Sequence, residues 1–440
     1  MTSPSHSALA VGIDIGTTSV KAVAADENGT VVARARVPHR LLTPQAEQLE
    51  HDAAQAWRRG PRRALAEVSG EGVAAVSVTG MVPSMCAVDR RGIPRTPGLI
   101  YGDGRGRAGG AMDATGGGET AAFLRWTAAQ CPDAHGYWPA QAVANFALSG
   151  EPSLDTATAF SAFPLFDGNV WDEAALAERG ARPDQFPPVV VNGAPAGKVG
   201  GAVLGASSID AMGELLVAGA DGEGDVLVIL GTTLIVWAVI PEWREVPGLW
   251  TLPHLGAAQK VLIGGASNGG GLFLSWATSW LGRPKSAPDP RRVPVWEPYV
   301  RGERTPYHDP HRRAVLHDLD LTHDGSAVRR AAYEASGFVA RHHLDLAGVS
   351  PRRIVATGGG VRVAEWVQSL ADCTGLPVEV VAVPEGAALG AAFMARVAAG
   401  LEPDMAGGAR WARRSHTVEP DPEWAEPVAA RYARFRELAG

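Results

Sequence analysis

The chain has 440 residues, of which 46% are hydrophobic and 20% are charged, and its formal net charge is −7. This length is more than one domain usually needs and is ample for two, and the composition excludes fibrous and disordered proteins. The acidic balance argues against general binding to nucleic acid or to anionic membranes.

Cysteine usage and the first residues predict a cytoplasmic protein. Cys86, Cys131 and Cys373 lie far apart without C-x-x-C spacing, so neither a disulfide framework nor a thiolate zinc site is expected. The first seven residues lack the basic and apolar segments of a secretory leader, and no uninterrupted apolar run approaches the ~18 residues that span a membrane. We expect neither a membrane nor a nucleic-acid partner, and the sequence leaves a homodimer open.

The first predicted elements form an antiparallel meander. The apolar runs 9–15 and 20–25 flank a turn at 16–18, and the run 31–37 follows. Asp14 is costly to bury in such a strand unless it is hydrogen-bonded or lies near a cation. The amides and threonine hydroxyls of the turn make a natural anion cradle. For this motif alone, an ordinary hairpin is slightly favoured.

A second copy of the motif changes that balance. Residues 225–240 again read as strand, Gly-Thr-Thr and strand, with Ile229 at the position that matches Asp14. Such repetition indicates two related halves, with one metal-associated carboxylate between two phosphate cradles. We place the boundary at the glycine-rich break, which gives domains 1–219 and 220–440. A helix over 423–439 either caps the second domain or packs back on the first.

Two further carboxylates have competing interpretations. Asp103 lies in a glycine-rich loop, where an aspartate is more often a turn residue than a ligand. Asp210 follows Ser207 and Ser208, which are plausible N-caps of a helix that runs to Ala218. There it either complements the helix dipole, which we favour about three to one on local grounds, or acts as a proton acceptor.

The second half contains two glycine-rich turns that lead into helices. Residues 261–271 predict a strand and a turn that opens the helix 272–281, and residues 353–360 predict a strand that ends in Thr-Gly-Gly-Gly. A phosphate or a flat ligand can approach such turns closely. His308 and His311 are interpreted as loop histidines, because Pro310 prevents a regular helix and no acidic cluster completes a metal site.

Taken together, the motifs I-D-I-G-T-T, S-S-I-D-A, I-L-G-T-T, R-G-E-R-T-P, A-T-G-G-G and E-G-A-A-L-G-A-A strongly resemble the FGGY carbohydrate kinases. The resemblance covers nearly the whole chain in the right order. It implies an α/β, two-domain, ribonuclease H-like fold of the actin-type ATPases, with a cleft between the domains. It also implies ATP-dependent phosphorylation of a hydroxyl group on a small sugar or polyol, with ATP and Mg²⁺ as cofactors.

The resemblance further implies residue roles. Asp14 would hold the Mg²⁺ water shell, Asp210 would be the catalytic base, and Asp103 would contact sugar hydroxyls. The residues implied on the nucleotide side are Gly16, Thr17, Thr18 and Lys21 by the terminal phosphate, Gly231, Thr232 and Thr233 by the other phosphates, and Gly358, Gly359 and Gly360 along the adenosine. The residues implied beside the sugar are Met81, Val82, Pro83, Asp103 and Asp210.

The chain looks closest to the xylulokinase-like branch, because of its G-E-R-T-P and I-Y-G-D-G-R segments. D-xylulose is therefore the leading candidate substrate. Where that branch carries G-Q-M-H-G beside the sugar, this chain has G-M-V-P-S at residues 80–84 and lacks the amide and the imidazole. Two alternatives are a non-catalytic sugar- and nucleotide-binding regulator and a chaperone-type ATPase. Asp14 and Asp210 argue against the regulator, and the lack of a substrate-binding tail argues against the chaperone.

Overall fold

The computed structural model describes residues 8–107, 118–206, 208–257, 259–282 and 286–439. They form two compact units. Unit 1 contains Met1–Gly219 and Glu385–Trp411, and unit 2 contains Ala220–Pro384 and Ala412–Gly440. The predicted division at 219/220 differs from this grouping in one segment, because residues 385–411 return to unit 1.

The strands, in chain order, are β1 (Leu9–Ile15), β2 (Ser19–Ala25), β3 (Val31–Pro38), β4 (Glu50–His51), β5 (Val73–Gly80), β6 (Ser84–Val88), β7 (Gly98–Ile100), β8 (Gly136–Trp138), β9 (Leu154–Asp155), β10 (Val189–Val190), β11 (Pro195–Val199), β12 (Ala202–Gly205), β13 (Ser208–Ile209), β14 (Asp225–Leu230), β15 (Leu234–Ile240), β16 (Trp250–Pro253), β17 (Val261–Ser267), β18 (Val295–Glu297), β19 (Val315–His317), β20 (Arg353–Thr357), β21 (Val378–Val381) and β22 (Arg414–Val418). The α-helices are α1 (Gly60–Val68), α2 (Gly118–Gln130), α3 (Ala140–Ser149), α4 (Thr156–Phe160), α5 (Glu173–Ala177), α6 (Asp210–Ala218), α7 (Gly271–Leu281), α8 (Gly325–Ala347), α9 (Ala364–Thr374), α10 (Gly386–Ala398) and α11 (Pro422–Ala439). Within the described ranges, no helix is long and apolar enough to cross a membrane.

Unit 1 is built on a mixed sheet in the order β11-β12-β5-β1-β2-β3, with β13 also paired to β5. The antiparallel meander β1-β2-β3 is as predicted, and β5 runs parallel to β1, β12 and β13. Side chains alternate between the two faces of a strand. Val11, Ile13 and Ile15 join a core with Trp57 and Leu65, so Gly12 and Asp14 point to the opposite face.

Helix α10 covers that opposite face because small residues allow backbone contact. A Cβ atom added to Gly12 would overlap the backbone of Ala388 and Ala392, and one added to Gly390 would overlap the backbone of Gly213 in α6. These contacts tie α10 to β1 and to α6, and they are the physical reason why residues 385–411 belong to unit 1.

Unit 2 repeats the mixed sheet, in the order β16-β17-β15-β14-β20-β21-β22. β14, β15 and β17 are antiparallel neighbours, and β20 and β21 run parallel to β14. Both units therefore share one arrangement, an antiparallel meander extended by parallel strands on the side of its first strand. The prediction of an α/β fold with two related halves is confirmed.

The terminal helix packs within unit 2. Tyr432 and Phe435 of α11 contact Phe338 of α8, and Arg431 pairs with the buried Glu334 at 2.7 Å. These contacts are those of a helix that caps unit 2, and packing of the same helix on the first domain stays a prediction. The apolar face of α11 completes the core of its own unit.

Candidate active site

Three predicted site segments leave the same edge of the unit 1 sheet. Asp14 pairs with Thr79, and Thr79 with Ser208, so these residues form one row across the parallel strands β1, β5 and β13. Neighbouring strands lie about 4.8 Å apart, which puts the row within about 10 Å. The turn at 16–18, the segment Met81–Pro83 and Asp210 follow directly. Ligands of α/β sheets typically bind at such carboxyl ends of strands.

Asp14 is buried, with 5% of its surface exposed. Its Oδ2 atom lies 3.6 Å from Lys21 Nζ, and its buried Oδ1 atom has no hydrogen-bond partner among the described residues. Burial raises the pKa of the Asp14 carboxyl, and the nearby Lys21 charge opposes this shift. The Oδ1 atom of Asp14 can therefore accept a hydrogen bond or bind a cation.

Lys21 lies among several carboxylates of unit 1. The charge of Asp14 raises the pKa of Lys21 the most, burial opposes this, and the charges of Glu214 and Glu385 raise it further. Lys21 therefore stays protonated. Sequence analysis did not identify Glu214 or Glu385. For Glu214 a signal existed, since it follows Asp210 by four residues and so lies on the same face of α6.

Side chains support the first turn from behind. Thr17 Oγ1 lies 2.7 Å from the hydroxyl of Tyr101, and His51 Nε2 lies 2.8 Å from the Thr17 carbonyl oxygen. His51 Nδ1 accepts a hydrogen bond from Trp57 Nε1 at 3.0 Å. Burial, reinforced by the neighbouring His39, lowers the pKa of His51 to about 4. His51 is therefore neutral and holds the Thr17 carbonyl in place through a hydrogen bond. No local sequence pattern indicated this role.

Asp210 is the first residue of α6 and is half-buried. Ile209 occupies the N-cap position and makes no side-chain cap hydrogen bond, and Asp210 Oδ1 accepts a hydrogen bond from the Ala211 amide at 2.8 Å. The prediction of a Ser208 cap is corrected, because Ser208 belongs to β13 and Ile209 separates it from the helix, and the prediction for Ser207 lies outside the described residues. Asp210 does occupy the first helical turn, beside the row of Asp14 and Thr79.

Met81 and Pro83 are buried, and Val82 between them is half-buried. Sequence analysis missed Gln141, whose Nε2 atom donates to the Gly80 carbonyl at 2.9 Å and to the Ser208 carbonyl at 3.4 Å. Gln141 thus fixes the ends of β5 and β13, from which Met81 and Asp210 follow. Its buried Oε1 atom has no hydrogen-bond partner among the described residues.

Asp103 is fully buried and its carboxylate is engaged. It accepts hydrogen bonds from Arg105 at 2.7 to 3.1 Å and from the Leu49 amide at 2.6 Å. Arg105 also contacts Glu50 at 2.7 Å. These contacts are those of a loop-organising residue, so contact between Asp103 and a sugar stays a prediction.

In unit 2, backbone groups support the second turn. The carbonyls of Gly231 and Thr232 accept hydrogen bonds from the amides of Gly271 and Leu272 at 2.9 and 3.0 Å. These amides belong to the first turn of α7, where donors have no partner within the helix. A Cβ atom on Gly270 would lie 2.5 Å from the Thr233 carbonyl carbon. Sequence analysis predicted the glycine-rich start of α7 but not its contact with this turn.

The predicted loop Gly358–Gly360 lies beside the same turn. Ile229 pairs with Thr357 in the parallel strands β14 and β20, so both loops leave one edge of the sheet. Gly358 has φ of 88°, and Cβ atoms on Gly358 and Gly360 would lie 2.9 and 2.7 Å from the Leu230 carbonyl oxygen. Gly359 is exposed and has open space around it. The structure thus brings the two predicted nucleotide segments of unit 2 together.

The residues around Asp14 fit a weakly coordinated Mg²⁺ ion. Among the described residues, no group of three His, Cys, Asp or Glu side chains is arranged to hold a metal. Mg²⁺ usually keeps several waters and needs only one or two carboxylates besides the phosphates of its ligand. The unpartnered Oδ1 atom of Asp14 can serve such an ion.

Comparison with known proteins identifies the family. Residues 9–108 match the N-terminal domain and residues 226–399 the C-terminal domain of the FGGY family of carbohydrate kinases, together more than half of the chain. The xylulose kinase of Escherichia coli (strain K12) is 26% identical, over 90% of this chain and 91% of its own length. The gluconokinase of Bacillus subtilis (strain 168) is 25% identical, over 89% and 87%.

A solved structure extends the likeness to the fold. The crystal structure of xylulose kinase from Rhodospirillum rubrum superimposes with a TM-score of 0.78, at 26% identity and with 98% of each chain covered. It agrees with the paired mixed sheets of the two-domain, actin-like and ribonuclease H-like fold. The chain belongs to the FGGY family of carbohydrate kinases and is an ATP-dependent sugar kinase.

Proposed function

We propose that this kinase transfers the terminal phosphate of ATP to a hydroxyl group of a pentulose, with D-xylulose as the leading candidate. The observation that carries the proposal is the shared sheet edge of unit 1, where the row from Asp14 to Ser208 precedes an anion-binding turn and Asp210. Phosphoryl transfer needs this combination of positioning, positive charge and a proton acceptor. The named relatives support a sugar substrate, and they act on more than one kind of sugar.

In the proposed mechanism, Asp210 accepts the proton of the attacking hydroxyl group. The amides of the turn at 16–18 and the ammonium group of Lys21 contact the terminal phosphate, while the turn at 231–233 and the loop 358–360 hold the rest of ATP. Asp14 would hold Mg²⁺ through its water shell, and the bound ion would neutralise charge on the phosphates.

The segment 80–84 argues that the sugar pocket differs from that of a dedicated D-xylulose kinase. Val82 and Pro83 cannot donate side-chain hydrogen bonds to a sugar hydroxyl. A missing polar partner costs ~1–3 kcal/mol, or roughly ten- to a hundredfold in selectivity. We therefore expect the preference for D-xylulose over other ketoses to be modest.

The test is ADP release by the full chain with Mg²⁺, measured for D-xylulose, L-xylulose, gluconate and glycerol. We expect turnover with a pentulose, and we expect Asp14→Asn to raise the Mg²⁺ concentration needed for half-maximal activity. A best substrate outside the pentuloses would replace the substrate class and leave the kinase assignment intact. ADP release that none of the four compounds stimulates would contradict the proposed pentulose substrate.

A further inference from the structure

We propose that Glu303 is a positioning residue for nucleotide binding, acting through the start of α7 on the Gly231–Thr233 turn. The inference rests on the proposed role of that turn as a phosphate-binding element. Glu303 belongs to the G-E-R-T-P segment, to which sequence analysis assigned no role beyond family membership. It touches neither the turn nor the loop 358–360 in the described contacts, so any effect on nucleotide must pass through other residues.

Glu303 is fully buried, and its carboxylate binds the last residue of β17 and the residue after it; the hydrogen bonds between residues 266–269 and 302–305 are called the clasp below. Ser267 Oγ donates to Oε2 at 2.6 Å, and the amides of Asn268 and Arg304 donate to Oε1 at 3.0 and 2.6 Å. Burying a carboxylate costs free energy unless such donors replace the hydrogen bonds that it loses with water. Burial nevertheless raises the pKa of Glu303 to about 7. Three donors from two separate segments thus converge on one buried side chain.

The clasp has a second layer around the same segment. Ser267 Oγ also accepts a hydrogen bond from the Gly269 amide at 3.0 Å, and Asn268 Nδ2 donates to the Gly302 carbonyl at 2.9 Å. Thr305 Oγ1 donates to the Ala266 carbonyl at 3.0 Å. Residues 266–269 are therefore fixed at several points to residues 302–305.

From this clasp the chain runs directly into Gly270 and the start of α7, which contact the Gly231–Thr233 turn. Gly270 packs against the backbone of Thr232 and Thr233, leaving no room for a Cβ atom. The next two amides bind the Gly231 and Thr232 carbonyls. Because the amides of α7 hold the carbonyls of the turn, the amides of the turn have a fixed orientation. Because preorganised donors bind an anion at lower entropic cost, loosening the clasp should weaken nucleotide binding without removing any ligand contact.

The test is calorimetric titration of ADP into the full chain, which needs no knowledge of the sugar. In Glu303→Gln the side-chain amide can accept through one atom only, so we expect the Kd for ADP to rise roughly ten- to a hundredfold. Ser267→Ala removes one hydrogen bond of the clasp and should raise the Kd several-fold. The matched control is Glu297→Gln, which removes another buried carboxylate of unit 2, one that binds His317 at 2.8 Å. It should lower the melting temperature and leave the Kd unchanged.

Thr232→Glu separates the two proposals, because a carboxylate on the turn should repel a phosphate group. If Thr232→Glu leaves the Kd unchanged, the turn does not hold the nucleotide, and both proposals about it fail. If Thr232→Glu weakens binding but folded Glu303→Gln and Ser267→Ala keep the wild-type Kd, Glu303 has a structural role only. Should Glu303→Gln fail to fold, Ser267→Ala alone decides, since it leaves the carboxylate in place.

Discussion

The two Gly-Thr-Thr turns follow equivalent strands of two similar sheets, yet different groups support them. The turn of unit 1 is held by the side chains of Tyr101 and His51, and the turn of unit 2 by the backbone of α7. Their registers also differ: Ile15 pairs with Val20 across four residues, and Leu230 pairs with Leu234 across three. Asp14 thus faces Lys21, whereas Ile229 faces Ile235.

This difference assigns different tasks to two units that share one strand arrangement. Unit 1 carries the ionisable groups Asp14, Lys21 and Asp210 at its sheet edge. Unit 2 presents apolar strands, glycines and backbone amides at the corresponding edge. We infer that unit 1 contributes the chemistry and unit 2 the grip on the nucleotide, and variants of each should separate kcat from nucleotide affinity.

The largest expected effect comes from Asp210→Asn in unit 1. Asparagine has the same shape but cannot accept a proton, so kcat should fall 10²–10⁴-fold while the Kd for ADP stays unchanged. If Asp210 serves only the helix dipole, the variant should lose a fraction of a kcal/mol in stability and keep its turnover. Measuring kcat and melting temperature on one preparation distinguishes these outcomes.

Next in size is Gly270→Ala in unit 2. The added methyl group would collide with the backbone of Thr232 and Thr233, so the turn must move away from α7. We expect a loss of ~1–3 kcal/mol in the free energy of unfolding and about a tenfold rise in KM for ATP. Gly325→Ala is the control, because its Cβ atom meets only the Leu281 carbonyl oxygen at an ordinary 3.6 Å. Equal KM values in the two variants would contradict the backbone support of the second turn.

The same contrast explains what the sequence could predict. Periodicity and turn residues predicted both hairpins and their repetition, because these signals are local. The groups that support the first turn are not local, since Tyr101 lies 84 residues from Thr17 along the chain. The placement of α10 is not local either, because this helix follows β21 of unit 2 along the chain and yet belongs to unit 1. Asp103 shows the converse, since its loop suggested a turn residue and only the structure reveals how completely Arg105 and Leu49 engage it.

A smaller effect, on pH dependence, should involve His51 of unit 1. Its pKa in the folded protein is about 4, against an ordinary 6.5, so the unfolded chain binds an extra proton between these values. The stabilisation is therefore complete above pH 6.5 and is lost as the pH falls towards 4, by at most about 2 kcal/mol between pH 6.5 and 5. His51→Gln should show a shallower fall in melting temperature from pH 7 to 5. If the melting temperature depends on pH in the same way for the variant and the wild type, His51 is not a buried neutral histidine that supports the turn.

The smallest expected effect is that of Tyr101→Phe, which removes only the hydroxyl group 2.7 Å from Thr17 Oγ1. The net worth of such a hydrogen bond is about 1 kcal/mol, so we expect that loss of stability and a few-fold rise in KM for ATP. Tyr137→Phe is the matched control, since its hydroxyl group donates to the Cys131 carbonyl at 3.0 Å, in unit 1 but outside the turn. The control should lose similar stability and keep its KM. If both variants keep the wild-type KM, the side chains that support the first turn affect stability but not nucleotide binding. The difference between the two turns then concerns folding alone.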